Sequence, residues 1–143
     1  MEVKPITQEM LLKFFADGNY HYSVNPSGLY AIHFSYTESI DCETHYTFLI
    51  EGKANDLVSV RGHSDHRYKT EKLAPLLISL NEYKNQYRWP KMTVSESNNR
   101  LYVTTELDLD VEAGIHQELL NGFLSLHMSS SHDLWKWLAE HEI

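Results

Sequence analysis

The stretch from residue 80 to residue 110, LNEYKNQYRWPKMTVSESNNRLYVTTELDLD, constrains the fold more than any other part of the chain. Pro90 disfavours helical dihedral angles at Trp89, so a helix that precedes them should end there. Two runs of alternating apolar and polar residues follow, with Asn98-Asn99 between them. Because asparagine tolerates the positive φ angles of a tight turn, this pattern predicts a β-hairpin. The stretch therefore predicts a helix that leads directly into an antiparallel hairpin.

The segment before Trp89 carries apolar residues at helical spacing, which predicts an amphipathic helix. Pro75 suits its first turn, where a missing N–H costs nothing. The residues expected on the buried face of this helix are Leu73, Leu76, Leu77, Leu80 and Tyr87.

The remaining elements are predicted from caps, alternation and turn residues. Thr7 fits the N-cap of a short first helix, and Gly18 fits its C-cap. Strands are expected over 20–24, 29–36, 44–51 and 57–61, a polar loop over 62–70, and a last helix over about 111–141. The order α-β-β-β-β-α-β-β-α predicts an α+β fold, in which an antiparallel sheet of hairpins is flanked by helices. We expect one domain over residues 1–143.

Composition and charge exclude several classes of protein. Cys42 is the only cysteine, so no intramolecular disulfide can form and a reducing compartment is favoured. No apolar run approaches the length of a membrane span, and the N-terminus does not resemble a signal peptide. We therefore expect a cytoplasmic protein that contacts no membrane. The net charge is −8, with the acids concentrated near the C-terminus, whereas duplex-binding proteins show a dominant basic face. No nucleic-acid partner is expected.

Two groups of residues have the chemistry of metal ligands. The run His63-Ser64-Asp65-His66, with Cys42 and His45, offers ligands for zinc or nickel, but its spacing matches no compact zinc signature. Glu106, Asp108 and Asp110 share one face of a strand, as magnesium or calcium ligands could. Their alternation with leucine is equally typical of a half-solvated strand, which we favour. We expect no metal and no cofactor.

Catalytic patterns are equally weak. Ser131-His132-Asp133 contains the residue types of a hydrolytic triad, but neighbouring residues on a helix point about 100° apart and cannot form the required relay. The glycines form no loop that could hold a phosphate group. We therefore expect no catalytic residue.

The apolar arc of the last helix is wider than one sheet face needs, which indicates a second contact surface. We expect the sheet to lie in the direction of Ile115, Leu119 and Phe123. The other direction, which we predict to contact a second copy or another protein, holds Leu124, Met128 and Trp135. The competing interpretation is that Trp135 belongs to the core. Ser129–Ser131 leave open whether this helix is continuous.

Several short runs resemble the YbjN-like family, which is described as bacterial sensory transduction regulators. The resemblance rests on Leu80-Asn81, Arg88-Trp89-Pro90-Lys91, Arg100-Leu101, Glu106-Leu107-Asp108-Leu109 and Gly114-Ile115, and is best from about residue 73 to residue 138. It implies the fold of type III secretion chaperones. Proteins of that fold are typically homodimers that bind other proteins, and the family has no established enzymatic activity.

Taken together, these patterns predict a non-enzymatic protein-binding module, chaperone-like or regulatory, that acts as a homodimer. Its protein or peptide partner is not identified by the sequence. The alternative is a small-ligand or metal-binding protein that uses the histidines or the acidic strand.

Overall fold

A seven-stranded antiparallel sheet forms the centre of the computed structural model, which describes residues 2–141 and 143. The strands are β1 Ser23–Val24, β2 Tyr30–Thr37, β3 Cys42–Glu51, β4 Leu57–Ser64, β5 Tyr68–Lys69, β6 Lys91–Ser97 and β7 Arg100–Asp110. The helices are α1 Gln8–Asp17, α2 Leu73–Gln86 and α3 Gln117–Glu140, and a short 3-10 helix at Thr70–Lys72 precedes α2. The predicted α+β fold and order of elements are confirmed. The polar loop predicted over 62–70 is wrong in part, because β4 extends to Ser64 and β5 follows it.

Strand order explains which parts of the sheet are edges. The strands run β1-β2-β3-β4-β7-β5, and β6 also pairs with β7. Consecutive β2, β3 and β4 form hairpins, whereas β7 is inserted beside β4 and pairs with it from Thr104 to Asp110. Consequently β1 and β2 form one edge of the sheet and β6 forms the opposite edge.

The predicted caps of the first helix and the predicted hairpin turn both form. The Thr7 hydroxyl oxygen accepts a hydrogen bond from the Met10 amide at 3.3 Å, which caps α1. Gly18 ends that helix, and its N–H donates to the Phe14 carbonyl. Asn98 and Asn99 have φ angles of 51° and 59°, the left-handed pair that a two-residue hairpin turn requires.

All three described helices cover the same face of the sheet, and the apolar interior beneath them has two parts. One part packs α1 and the first half of α3 on β2, β3 and β4; its fully buried members include Leu11, Phe15, Phe48, Val60 and Leu124. The other packs α2 and the second half of α3 on the start of β7; it includes Leu76, Leu80, Leu101 and Leu134. The opposite face of the sheet, here called the open face, carries mainly polar residues.

Helix α3 is continuous through the serine run. The hydroxyl groups of Ser129 and Ser130 donate to the carbonyls of Leu126 and His127, each at 3.2 Å. The Ser131 hydroxyl donates to Thr105 Oγ1 at 2.7 Å. Because each hydroxyl is satisfied without displacing a main-chain helical bond, the run does not interrupt the helix.

The predicted orientation of α3 is wrong. Leu119, expected to face the sheet, is 44% exposed, whereas Trp135 is only 3% exposed. The error comes from Ile115, which precedes the helix and pairs with Lys4 in an isolated bridge, so it cannot define a helical face. The three residues predicted as an interface are instead core residues that face the sheet or α2: Leu124, Met128 and Trp135.

The buried face of α2 also differs from the prediction. Leu76 and Leu80 are buried as expected, but Leu73 and Leu77 are largely exposed. Tyr83 is buried instead of Tyr87, which lies beyond the end of the helix in extended conformation. The buried side of α2 packs in one cluster with the second half of α3 and the start of β7.

Candidate functional site

The histidines considered as metal ligands lie on the open face of the sheet. His33, His45 and His63 occupy neighbouring positions on β2, β3 and β4, and the rings of His45 and His63 stack with centroids 5.0 Å apart. Burial is the main cause that lowers the pKa of both His45 and His63, and the neighbouring histidine and Arg67 act in the same direction. Cys42 is buried on the helix-covered side, away from them. Within the described part of the chain, no three potential ligands are arranged around a common metal position.

Two of the three carboxylates of the acidic strand, Glu106 and Asp108, are paired with cations, and Asp110 accepts a hydrogen bond from the Glu112 N–H at 3.0 Å. Asp108 accepts hydrogen bonds from the Ser59 hydroxyl at 2.5 Å and from Arg61 Nη1 at 3.1 Å. Glu106 lies 3.1 Å from Lys91 Nζ. Burial acts to raise the pKa of Asp108, but the hydrogen bonds from Ser59 and Arg61 outweigh it, so its pKa is lowered. This arrangement is a charge network on a solvated sheet face.

The residues of the contiguous Ser131-His132-Asp133 run separate as helix geometry requires. Ser131 is fully buried and bonds to Thr105, whereas His132 and Asp133 are exposed. No relay from Asp133 through His132 to Ser131 is formed.

A buried polar group that the sequence analysis missed lies between α3 and the sheet. His127 Nε2 is 3.3 Å from Thr105 Oγ1, which itself accepts from the Ser131 hydroxyl. The chain of donors therefore runs from Ser131 through Thr105 to His127, whose Nε2 accepts and whose proton is assigned to Nδ1. Burial lowers the pKa of His127 to about 4, so the ring is neutral at pH 7. Since His127, Thr105 and Ser131 are all buried, we assign this network a structural role.

An apolar groove of about 560 Å³ lies between β2 and α3. Three aromatic rings line its sheet side: Tyr20, Phe34 and Tyr46. The helix contributes Leu126 and Met128, together with the small residues Gly122, Ser125 and Ser129. None of the lining residues is Lys, Arg, Asp or Glu. The groove is therefore suited to an uncharged, apolar group.

The outer edge of β2 runs beside this groove and is mostly unpaired. Strand β1 pairs with β2 only at Tyr30 and Ala31, so no described strand covers the edge over 32–37. The backbone N–H and C=O groups that alternate along this edge point away from β3. A bulge between Phe34 and Thr37 limits the regular part of the edge, so an added strand would be short.

The two edges of the sheet differ in whether they carry charged residues that discourage pairing with another chain. Strand β6, on the opposite side, carries Lys91 and Glu96, and charges of this kind protect an edge strand. Strand β2, YAIHFSYT, contains no acid, lysine or arginine. Its Phe34 and Tyr36 are 38% and 55% exposed. The edge without lysine, arginine or acidic residues is thus the one that borders the apolar groove.

The comparison with protein families identifies one family, and a solved structure shares the fold. The family model YbjN, described as "Putative bacterial sensory transduction regulator", matches residues 7–140. The crystal structure of YbjN, "a putative transcription regulator from E. coli", aligns with a TM-score of 0.76 over 99% of this chain and 96% of that chain, at 9% sequence identity. At that identity the likeness concerns the fold alone. No curated protein matches the sequence significantly.

Proposed function

The chain belongs to the YbjN family, and we propose that it is a non-enzymatic regulatory module that binds an extended segment of another protein. The observation that carries this proposal is the position of the unpaired β2 edge directly beside the apolar groove. We call the two together the edge groove: the β2 edge over 32–37 and the groove that it forms with α3.

The edge groove can hold an extended segment by adding it to the sheet as a strand. Main-chain hydrogen bonds to β2 would supply affinity without regard to sequence. Because side chains alternate along a strand, every second residue of the segment would enter the groove and the others would face the open side. The partner we propose is therefore a segment of alternating apolar and polar residues. Basic flanking residues would suit the net charge of −8.

The expected affinity is moderate. Two buried apolar side chains contribute about 1.5–3 kcal/mol each, and three strand hydrogen bonds about 0.5–1.5 kcal/mol each. Ordering the segment and immobilising it offset a large part of this gain. We therefore expect dissociation constants in the micromolar range or weaker.

The homodimer predicted from the sequence needs a surface other than the one first assigned to it, because Leu124, Met128 and Trp135 are buried. We propose the exposed side of α2, where Leu73, Leu77 and Ile78 are uncovered and Ile78 is 61% exposed. Glu82 and Lys84 lie on the same helix and are exposed. Since both signs of charge are present, antiparallel pairing of α2 with its copy can place opposite charges together.

Fluorescence anisotropy with a designed peptide tests the edge groove. The probe is a labelled peptide in which leucine alternates with serine between terminal lysines. Ser125 is exposed on the groove rim, so Ser125→Trp should fill the groove and weaken binding by about ten-fold or more, which corresponds to about 1.4 kcal/mol.

The matched control is Ser95→Trp on β6, the edge strand that lies far from the groove. It introduces the same side chain and should bind the peptide as the unmodified chain does. Equal weakening by both substitutions would mean that tryptophan acts nonspecifically. Failure of the unmodified chain to bind the peptide at millimolar concentration would refute the proposal.

A further inference from the structure

A second cleft lies at the other end of the molecule, where the loop between β4 and β5 meets the hairpin of β6 and β7. Its volume is about 460 Å³, and it is lined by Arg67, Ser97, Asn98, Arg100 and Tyr102. These residues offer two guanidinium groups, one amide and two hydroxyl groups, and no carboxylate. A cleft lined in this way is rich in hydrogen-bond donors and positively charged.

Arg67 is held in a fixed position with part of its donor capacity free. Its Nη1 donates to the carbonyls of Ser64 and His66 at 2.8 and 3.0 Å, which uses both protons of that nitrogen. The guanidinium carbon lies 5.2 Å from the centre of the Tyr102 ring. Within the described residues, neither Nε nor Nη2 has a hydrogen-bond acceptor. These two nitrogens form the edge of a guanidinium that binds two oxygens of an anion.

Two further cations lie near the cleft: Arg100 lines it together with Arg67, and Lys69, which does not line it, neighbours Arg100. Lys69 and Arg100 are directly opposite each other on β5 and β7, so their side chains share one face of the sheet. Among the described residues, Arg67, Lys69 and Arg100 form no ion pair with an acid. Glu96 precedes the cleft residue Ser97 in the sequence, but it lies directly opposite the buried Leu101 and therefore on the helix-covered face, away from Arg100. Like charges at directly opposed positions repel each other, and no described carboxylate relieves that repulsion.

We propose that this cleft binds the phosphoryl group of a phosphate monoester, between the free guanidinium edge of Arg67 and the guanidinium of Arg100, with Lys69 adding positive charge beside Arg100. A phosphate monoester carries close to two negative charges at neutral pH and three acceptor oxygens, so it can be shared by several cations. The Ser97 hydroxyl and the Asn98 amide supply further donors for these oxygens. The Arg100 guanidinium is held at the hairpin turn, where its Nη1 donates to the Asn99 carbonyl at 3.2 Å.

Phosphate binding in this cleft does not depend on the edge groove, since the two regions share no lining residue. A chain that failed to bind the alternating peptide could still bind phosphate, and the reverse also holds. The two tests therefore fail separately.

Nuclear magnetic resonance titration with inorganic phosphate at constant ionic strength and neutral pH tests the proposal. We expect saturable shifts of the Asn98, Asn99 and Arg100 amides and of the Arg67 side-chain Nε–H. Arg100→Gln should weaken binding by about ten-fold, as expected for loss of one charge-assisted contact, and Lys69→Gln should weaken it less, because Lys69 adds charge without lining the cleft. Both residues are exposed and support no buried contact, so these variants keep the fold.

Arg88→Gln is the matched control, because Arg88 is also exposed but lies on the link between α2 and β6. It should leave the phosphate affinity unchanged. Shifts that rise linearly without saturation, or an Arg100→Gln variant that binds as tightly as the unmodified chain, would overturn the proposal.

Two monoesters distinguish the source of the phosphoryl group. O-phosphoserine represents a modified side chain, and adenosine monophosphate represents a free nucleotide. Equal binding of both with inorganic phosphate supports recognition of the phosphoryl group alone, and a preference of ten-fold or more for one assigns the source. If none of the three binds below about ten-millimolar concentration, an affinity of roughly 3 kcal/mol, the site does not exist.

Discussion

Acidification should destabilise the fold through His127, and the size of the effect follows from its burial. Burial lowers the pKa of His127 from its ordinary value of 6.5 to about 4. The folded chain therefore binds fewer protons than the unfolded chain between these two values. Stability contributed by the neutral ring is complete above pH 6.5 and is lost as the pH falls toward 4. At about 1.4 kcal/mol per pH unit, the loss over the whole interval is about 3 kcal/mol.

The environment of His127 supports a lowered pKa, and therefore a loss of stability as the pH falls. The ring is 3% exposed, so solvent screening is small. Arg61 lowers the pKa further and Asp108 opposes it, but both effects are smaller than that of burial. His45 and His63 add to the same pH dependence, because burial also lowers the pKa of each. A variant at position 127 is therefore needed to isolate one histidine.

Urea unfolding at a series of pH values between 7 and 4.5 measures the effect, with His127→Gln as the variant. Glutamine keeps an acceptor for Thr105 but does not titrate, so its free energy of unfolding should fall less steeply with pH. The difference in slope should approach one proton, or about 1.4 kcal/mol per pH unit, in the middle of the interval.

Tyr46→Phe is the control for destabilisation without titration. It removes a buried hydroxyl next to α3, whose pKa burial raises to about 12, far above the interval. Its curve should be lower than that of the unmodified chain but parallel to it. If the curves of the unmodified chain and of His127→Gln are parallel as well, then His127 is not the titrating group and the argument is refuted.

Two predictions concern the core and the assembly. Trp135→Ala should lower the free energy of unfolding by about 3–5 kcal/mol in urea, since the indole is buried; an unchanged midpoint would contradict its place in the core. Light scattering at micromolar concentration should give twice the monomer mass of 16.7 kDa, and Ile78→Glu, on the exposed side of α2, should return the monomer without lowering the melting temperature. A monomeric unmodified chain would refute the homodimer.

The parts of the fold that could be predicted are those specified by nearby residues. The Asn98-Asn99 turn, the Thr7 cap and the end of α2 before Trp89 each depend on backbone preferences within a few positions. Alternation then located the long strands, because one face of the sheet is covered by helices and the other is open. These signals together sufficed for the fold class and the order of elements.

Helix orientation could not be predicted in the same way. Ile115 is buried by its hydrogen bonds to Lys4, a contact between distant parts of the chain. Its apolar side chain fits the periodicity of α3 by coincidence, although His116 is the cap and the helix begins at Gln117. Counting Ile115 as helical added an apolar residue to the side of Leu119 and Phe123, so that side was taken as the sheet-facing one instead of the side that carries Trp135.

The edge groove could not be predicted from the sequence for a related reason. Alternation of Tyr20, Tyr22 and Val24 predicts a strand that would cover β2, but only Ser23–Val24 pairs with it. Tyr20 instead packs against Phe14 and Phe34, with ring centroids 5.4 and 6.5 Å away. Alternation indicates which side chains pack against the core. It does not show whether the backbone pairs with a strand or only places aromatic rings beside that strand.

The sequence nevertheless distinguishes two sides of α3, one that packs on the sheet and one that lines the groove. Leu120 and Leu124 lie on the side that packs on the sheet, whereas Gly122, Ser125 and Ser129 follow one another at helical spacing on the groove side. Nothing lies within 4 Å of the position that a Cβ on Gly122 would take, so the space beside the helix is open there. Larger residues at these positions would occupy the groove that β2 borders. Of the serines that left the continuity of the helix open, Ser129 lines the groove, whereas Ser130 and Ser131 are buried against the sheet.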